Sequence, residues 1–460
     1  MNISVPTRTS ARRSGGAYGV IHRLHSVAGV FVAPLLVISA LSGFLYAFAP
    51  SLENIVYRDV ISASSLEPAQ PLAAQVEAAQ AAHPDLQLSA VQSFEDPTKT
   101  TRVLFNDPAL ESSSYRQAVF VDPGSLEVTG DLVQYGSSRA LPLRTWISEG
   151  HRHLWLGEPG RIYSEVAASW LGILALAGAW LWWVRRRSGK GQATAGSDAH
   201  SKRKQTRSLH SVMGVWLLPG FLFLTVTGLT WSSMAGGNIA NLRAELDWIQ
   251  PSPNTAMSGT ATDHSGHDEH AHHHGSSEVV ASQDDLAHID TVANNARAAE
   301  LGGIIEIALP AEEGAAWTVT EMRESWKLAN DAISVDGETG EIVDRVDHAD
   351  WPLAAKLSAW LIQLHMGTLF GWINQLVLGA IALGLLAIIS LGYRMWWLRG
   401  RNGRPGRLQA AGQWRHTRPG VLAGIIVFLL AYTVMAPMFG ISLVAFLAID
   451  AVIQALRRRT

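Results

Sequence analysis

The strongest constraint on this chain is an apolar run that occurs twice. Residues 24–46 read LHSVAGVFVAPLLVISALSGFLY, and residues 209–231 read LHSVMGVWLLPGFLFLTVTGLTW. They align without gaps at an offset of 185, with 8 of 23 positions identical. The identical residues include His25 with His210, Gly29 with Gly214, Pro34 with Pro219 and Gly43 with Gly228. About 20 apolar residues suffice to cross a bilayer, so each copy reads as a membrane helix. Each begins with a histidine where the run meets its basic flank. An ionisable side chain held at that place in both copies calls for a functional explanation.

Four further apolar runs follow, at 166–184, 372–398, 421–437 and 441–456, so six spans are expected. The last is the weakest because it is short and contains Asp450. The first run is too long for a signal-peptide core and lacks a clear small-residue cleavage site, so it reads as a retained helix. The chain has no cysteine, which excludes disulfides, thiolate metal sites and iron–sulfur ligation by its own residues. Basic residues set the expected orientation. Residues 1–23, 185–207, 399–418 and 457–459 hold 21 of the 36 Lys and Arg and one acid, Asp198. These segments are expected on the cytoplasmic side, with both termini there. Segments 50–150 and 235–355 are acidic and are expected outside. The basic 185–207 linker is explained by this topology and by anionic lipid, so no nucleic-acid partner is inferred.

The expected organisation is a basic cytoplasmic arm (1–23), a first span (24–49) and a polar outer domain (50–145). A surface segment with the second span (146–184), a cytoplasmic linker (185–207) and the third span (208–234) come next. An outer loop with a His-rich stretch (235–285) precedes a second polar outer domain (286–350). A surface helix with the fourth span (351–398), a cytoplasmic loop (399–418) and two last spans (419–460) complete the chain. The first polar domain is expected to hold a helix at 71–82 and strands at 89–94, 102–105 and 118–121. The second is expected to hold a helix at 286–299 and further strands. Each closes with a turn-rich hairpin, VDPGSLEVTG or VDGETGEIVD. A second repeat aligns His151–Trp183 with His365–Trp397 at an offset of 214, with 7 of 33 identities. These include His151 with His365, Gly157 with Gly371, Gly178 with Gly392, and Trp182-Trp183 with Trp396-Trp397. The expected fold class is therefore a polytopic α-helical membrane protein with two extracytoplasmic α+β domains and an internal tandem duplication.

Taken together, the histidine-headed spans, the EVAASW of the second span, the LHMGTLFGWINQ entry to the fourth and the two hairpins resemble the PepSY-associated transmembrane family. Its members include iron-regulated inner-membrane proteins and ferric-siderophore reductases of bacteria. The resemblance covers roughly residues 20 to 400. It implies outer domains of the PepSY fold and b-type haem held by histidines in a bacterial cytoplasmic membrane.

On that basis the expected ligands are His25 with His210 and His151 with His365, one pair at each face, for two haems b. A bilayer core of about 30 Å is too thick for one such group to bridge efficiently. His22 and His153 are competitors, but position 207 is Arg and position 367 is Gly, so neither has a partner in the repeat. The alternative is that all four are interfacial histidines, wet at one end and packed at the other. The glycines can serve close helix packing or leave room for a flat macrocycle. Pro34 and Pro219 are expected to kink their helices. Phe31, Trp216, Trp170 and Trp180 read as packing or lipid-facing residues.

The loop DHSGHDEHAHHH carries His264, His267, His270, His272, His273 and His274, with Asp263 as an oxygen donor. Imidazole suits copper and zinc, so weak capture of either is one reading and a solvated segment the other. No nucleotide-binding glycine motif, Ser–His–Asp arrangement or zinc-protease motif is present, so no acid–base catalytic residue is assigned. The electron donor must be a separate cytoplasmic protein, a quinol or a small reductant. The expected activity is reduction of an extracytoplasmic metal complex, a ferric siderophore or Cu(II). The rival readings are a non-redox scaffold or transporter component whose PepSY domains bind peptide or restrain a protease, and an anchored metal-capture protein.

Overall fold

The computed structural model describes residues 16–187, 198–257, 283–310, 312, 314–400, 405–406, 408 and 413–459. The His-rich stretch lies outside the described residues. The first half of the chain runs α1 (Ala17–Val56), α2 (Arg58–Ile61), α3 (Leu72–Gln80), β1 (Gln87–Phe94), β2 (Thr101–Asn106), β3 (Tyr115–Val121), β4 (Val128–Tyr135), α4 (Pro142–His153) and α5 (Glu158–Arg187). The second runs α6 (Asp198–Thr230), α7 (Met234–Glu245), α8 (Gln283–Ala298), β5 (Ile304–Ala308), β6 (Trp317–Glu321), β7 (Ala332–Val335), β8 (Ile342–Val346), α9 (Leu353–Met366) and α10 (Gly371–Trp397). α11 (Pro419–Met435) and α12 (Pro437–Arg459) follow. The chain divides into a helical unit (residues 1–43, 152–239 and 380–460) and a sheet-bearing unit (44–151 and 240–379).

In the helical unit, parts of α1, α5, α6 and α10 pack through Val32, Leu36, Trp170, Leu174, Phe221 and Leu385. Among the described residues, four helices are long and apolar enough to cross a membrane: Ala17–Val56, Glu158–Arg187, Lys202–Thr230 and Gly371–Trp397. The two C-terminal runs, expected as spans, differ. α11 has 17 residues, and the apolar part of α12 is Pro437–Val452, both shorter than the four long apolar helices. Pro437 lacks an N–H and divides the run, so α11 stops at Met435. α12 packs on α5, where Trp170 Nε1 donates to Ser442 Oγ at 2.8 Å. Asp450 forms an ion pair with Arg23 of α1 at 2.5 Å, which offsets the cost of an acid in an apolar helix. The fully buried Glu165 accepts from the Met234 and Ala235 N–H groups that open α7, at 2.9 and 3.1 Å.

In the sheet-bearing unit, the two polar segments contribute four strands each to one antiparallel sheet, ordered β4-β3-β2-β1-β5-β6-β7-β8. The segments, expected as separate domains, meet where β1 pairs with β5 in the register Ala90↔Ala308 to Phe94↔Ile304. That pairing satisfies the backbone groups that two separate sheets would leave on open edges. A single core results, with Val91, Val103, Phe105 and Val119 of one half beside Ile305, Ile307, Val319 and Ile333 of the other. α3 and α8 contribute Val76, Ile289 and Val292 to it.

The two hairpins are built alike. The Asp122 carboxylate accepts from the N–H groups of Gly124 and Ser125, and from those of Ser64 and Ser65. The Asp336 carboxylate accepts from the N–H groups of Glu338 and Thr339 and from the Thr339 hydroxyl.

Candidate cofactor site

His25 lies on α1 and His210 on α6, and the structure brings their rings together with centroids 6.2 Å apart and planes at 78°. Each ring is fixed through Nδ1, that of His25 by the Leu174 carbonyl at 3.0 Å and that of His210 by the Ile388 carbonyl at 3.1 Å. A carbonyl oxygen only accepts, so Nδ1 carries the proton and Nε2 keeps its lone pair. This is the tautomer a metal-ligating imidazole needs. Leu174 and Ile388 stand at the same 214-residue offset as His151 and His365, so the carbonyls that orient the rings obey the second repeat.

These rings line a cavity of about 320 Å³ together with Gly29, Gly178, Gly214 and Gly392. A Cβ at Gly178 would stand 3.0 Å from His25 Cε1, and one at Gly392 would stand 3.8 Å from His210 Cε1. Gly29 and Gly214 face open space, where a Cβ would meet nothing within 4 Å. Side chains at these four positions would crowd the rings or project into the cavity.

The second pair belongs to the sheet-bearing unit. His151, near the end of α4, and His365, in the last turn of α9, have ring centroids 6.5 Å apart at 35°. Tyr46 stacks on His151 at 5.9 Å and 10°. α9 stops one residue beyond His365 because Gly367 takes the left-handed conformation, with φ 75°. Burial pushes the His151 imidazole down to about 4, and burial with the neighbouring His151 pushes His365 down to about 3. Both rings are therefore neutral at pH 7, the form that ligates metal.

The spacing has a simple meaning. A metal–nitrogen bond of about 2.0–2.1 Å, with roughly 1.1 Å from each nitrogen to its ring centroid, puts two imidazoles across one ion about 6.3 Å apart. Both observed separations are close to this value. Among the described residues, no group of three or more His, Asp, Glu or Cys is placed to hold a metal ion. On this test, the residues present fit a bis-histidine tetrapyrrole.

The competing histidines fall elsewhere. His22 lines the same cavity but stacks on Tyr18 at 5.8 Å. His153 ends α4, and the ring that faces His365 is that of His151. Sequence reasoning misses Tyr46 and the two carbonyls. A backbone group has no residue-type signature, so only the constant offset points to Leu174 and Ile388. It also takes Arg185 and Arg399 as topology signals, although both line the cavity.

A search of curated proteins found no match. The family model for the PepSY-associated TM region matches residues 22–399, a stretch that includes every histidine of both pairs and all four long apolar helices except residues 17–21 of α1. The chain belongs to the PepSY-associated transmembrane family.

Proposed function

We propose that this protein is a di-haem electron-transfer protein of a bacterial cytoplasmic membrane. It takes electrons from a cytoplasmic donor or quinol and reduces an extracytoplasmic metal complex, a ferric siderophore. The observation that carries this reading is the occurrence of two separate His–His pairs, 6.2 and 6.5 Å between centroids, each at bis-imidazole spacing. Haem, when bound, would supply one-electron redox chemistry.

The chain's own residues bind, orient and insulate. His25 and His210 would hold one group, and His151 and His365 the other. The Leu174 and Ile388 carbonyls fix the first two rings and raise their donor strength. A group held by two imidazoles would offer substrate no open coordination position, so the protein would conduct electrons and break no bond. α1 has 40 residues, about 60 Å of helix at ~1.5 Å per residue. That exceeds the ~30 Å hydrocarbon core and lets one helix serve His25 and, further along, Tyr46. The basic segments support an orientation with both termini in the cytoplasm. The mirrored strand order and constant offsets support a tandem duplication whose two PepSY-like halves have merged into one sheet.

Single replacements test the assignment. His25→Ala and His210→Ala should each remove one haem, and His151→Ala and His365→Ala should each remove the other, with about half the Soret absorbance left in every case. Full Soret absorbance in all four variants would sink the reading.

A further inference from the structure

His151 and His365 come from different helices, so the geometry of their pair depends on where α4 stands. The last turns of α1, from Tyr46 on, fix that place. Tyr46, Ala49 and Glu53 fall at i, i+3 and i+7 and so share one face of α1, and Arg144, Ile147 and His151 repeat the spacing on α4. The two faces meet in reverse order. Tyr46 stacks on His151, Tyr46 and Ala49 share a buried cluster with Ile147, and Glu53 meets Arg144. The helices therefore run antiparallel, and the whole ladder lies within the sheet-bearing unit.

Glu53 is the polar rung of this ladder. Its Oε2 accepts from the Leu141 N–H at 2.7 Å and stands 3.3 Å from Arg144 Nε. Glu53 and Arg144 are each only 6% exposed. One turn further along, the Tyr57 hydroxyl accepts from the Leu143 N–H at 3.2 Å. N–H groups at the start of a helix have no partner within it, and the end of α1 supplies acceptors for two of those that open α4. A buried ion pair is costly where apolar packing would serve, but its directed contacts select one register of α4 along α1. The other ring is referenced to the same stretch. Ser51 Oγ donates to Gln375 Oε1 at 2.7 Å, and the neighbouring Asn374 Nδ2 donates at 2.9 Å to the carbonyl of Leu364, the residue before His365.

We propose that Glu53 is the positioning residue of the second histidine pair. Through the Leu141 N–H and the Arg144 guanidinium it sets the height of α4 on α1, and with it the 6.5 Å separation and 35° angle of His151 and His365. It acts through the backbone of α4. This rests on the haem reading above and names the residue that sets the geometry of one of its two sites. The first pair is oriented differently, by the Leu174 and Ile388 carbonyls on the rings themselves, so a change at Glu53 should leave it unmoved.

The test uses the full-length protein with His25→Ala, which leaves only the second site loaded. Two signals report on that site. One is the anisotropy of the low-spin ferric EPR spectrum, which follows the angle between two axial imidazole planes. The other is the rate of haem loss to excess apomyoglobin. Glu53→Ala should shift the EPR signal and speed haem loss about tenfold, the low end of what removing a group that orients a metal ligand costs. Glu53→Gln keeps an acceptor for the Leu141 N–H and should change both signals in the same direction by less; it carries the comparison where Glu53→Ala does not accumulate. Asp290→Asn controls for destabilisation alone, because Asp290 caps α3 through the Leu72 and Ala73 N–H groups of the same unit, and it should move neither signal. Unchanged signals in the Glu53 variants would overturn the proposal. An equal change in Asp290→Asn would also overturn it and make Glu53 a general support of the unit. Absence of haem from the His25→Ala parent would instead sink the haem reading, and the proposal with it.

Discussion

The two halves of the chain carry the same inventory at constant offsets, yet they do not use it equally. Gly178 would bring a Cβ to within 3.0 Å of the His25 ring, whereas its counterpart Gly392 leaves 3.8 Å to His210. Asp122 ties its hairpin to the Ser64–Ser65 backbone, whereas, among the described residues, the hydrogen bonds of the Asp336 carboxylate stay within its own turn. His22 in the first half corresponds to Arg207 in the second, and both line the same cavity. The residues kept alike are the ring nitrogens, their carbonyl anchors and the cavity glycines. The residues that diverge surround them. A shared central site explains the pattern, because equivalent groups from both halves must meet one ligand while the periphery is free to change.

The asymmetry can be broken by substitution. Gly178→Leu should abolish the haem at His25 and His210, because its side chain has no space beside the ring. Gly178→Ala should weaken that site by about 1–3 kcal/mol through overpacking. Gly392→Ala should cost less than ~0.5 kcal/mol, since 3.8 Å is ordinary contact. Haem-to-protein ratios after detergent washing would check this order, and equal losses from the two alanine variants would erase the distinction.

The hairpins give a smaller difference. Asp122→Asn should destabilise the sheet-bearing unit by about 2–3 kcal/mol and Asp336→Asn by about 1 kcal/mol, read from thermal unfolding. Burial would raise the Asp122 carboxyl, but four backbone N–H groups overcome that effect and hold it at about 2. A carboxyl lowered in the folded state stabilises the protein above its unfolded value. Asp122 should therefore contribute fully above about pH 4 and progressively less as pH falls toward 2. The Asp122→Asn variant should show a flatter acid limb across that window.

Much of this is legible in the sequence. The four long helices follow from apolar length, and the hairpins from Asp, Pro and Gly between β-branched residues. The histidine pairs follow from repeat position combined with family resemblance. The fused sheet does not show there, because nothing in QLSAVQSF or IIEIA states whether an edge strand ends a domain or pairs with its copy. The arginines of the cavity are not legible there, since a basic flank does not say which of its residues line a cavity.

The smallest expected effect concerns the second histidine pair. Tyr46→Leu removes the ring stacked on His151 and should weaken retention of that haem about fivefold, or ~1 kcal/mol. The site at His25 and His210 should not change. Haem loss that follows dilution, with each site isolated by a His→Ala substitution at the other, would check this. An equal effect at both sites would mean that Tyr46 acts on the fold and not on its neighbouring ring.

The central claim is that two imidazole pairs each clasp one haem. The most direct measurement is the haem-to-protein ratio of the full-length protein purified from haem-replete cells, determined as pyridine haemochrome against amino-acid analysis. The account predicts two haems b per chain. A colourless protein would contradict it outright, and a ratio of one would contradict the equivalence of the two pairs.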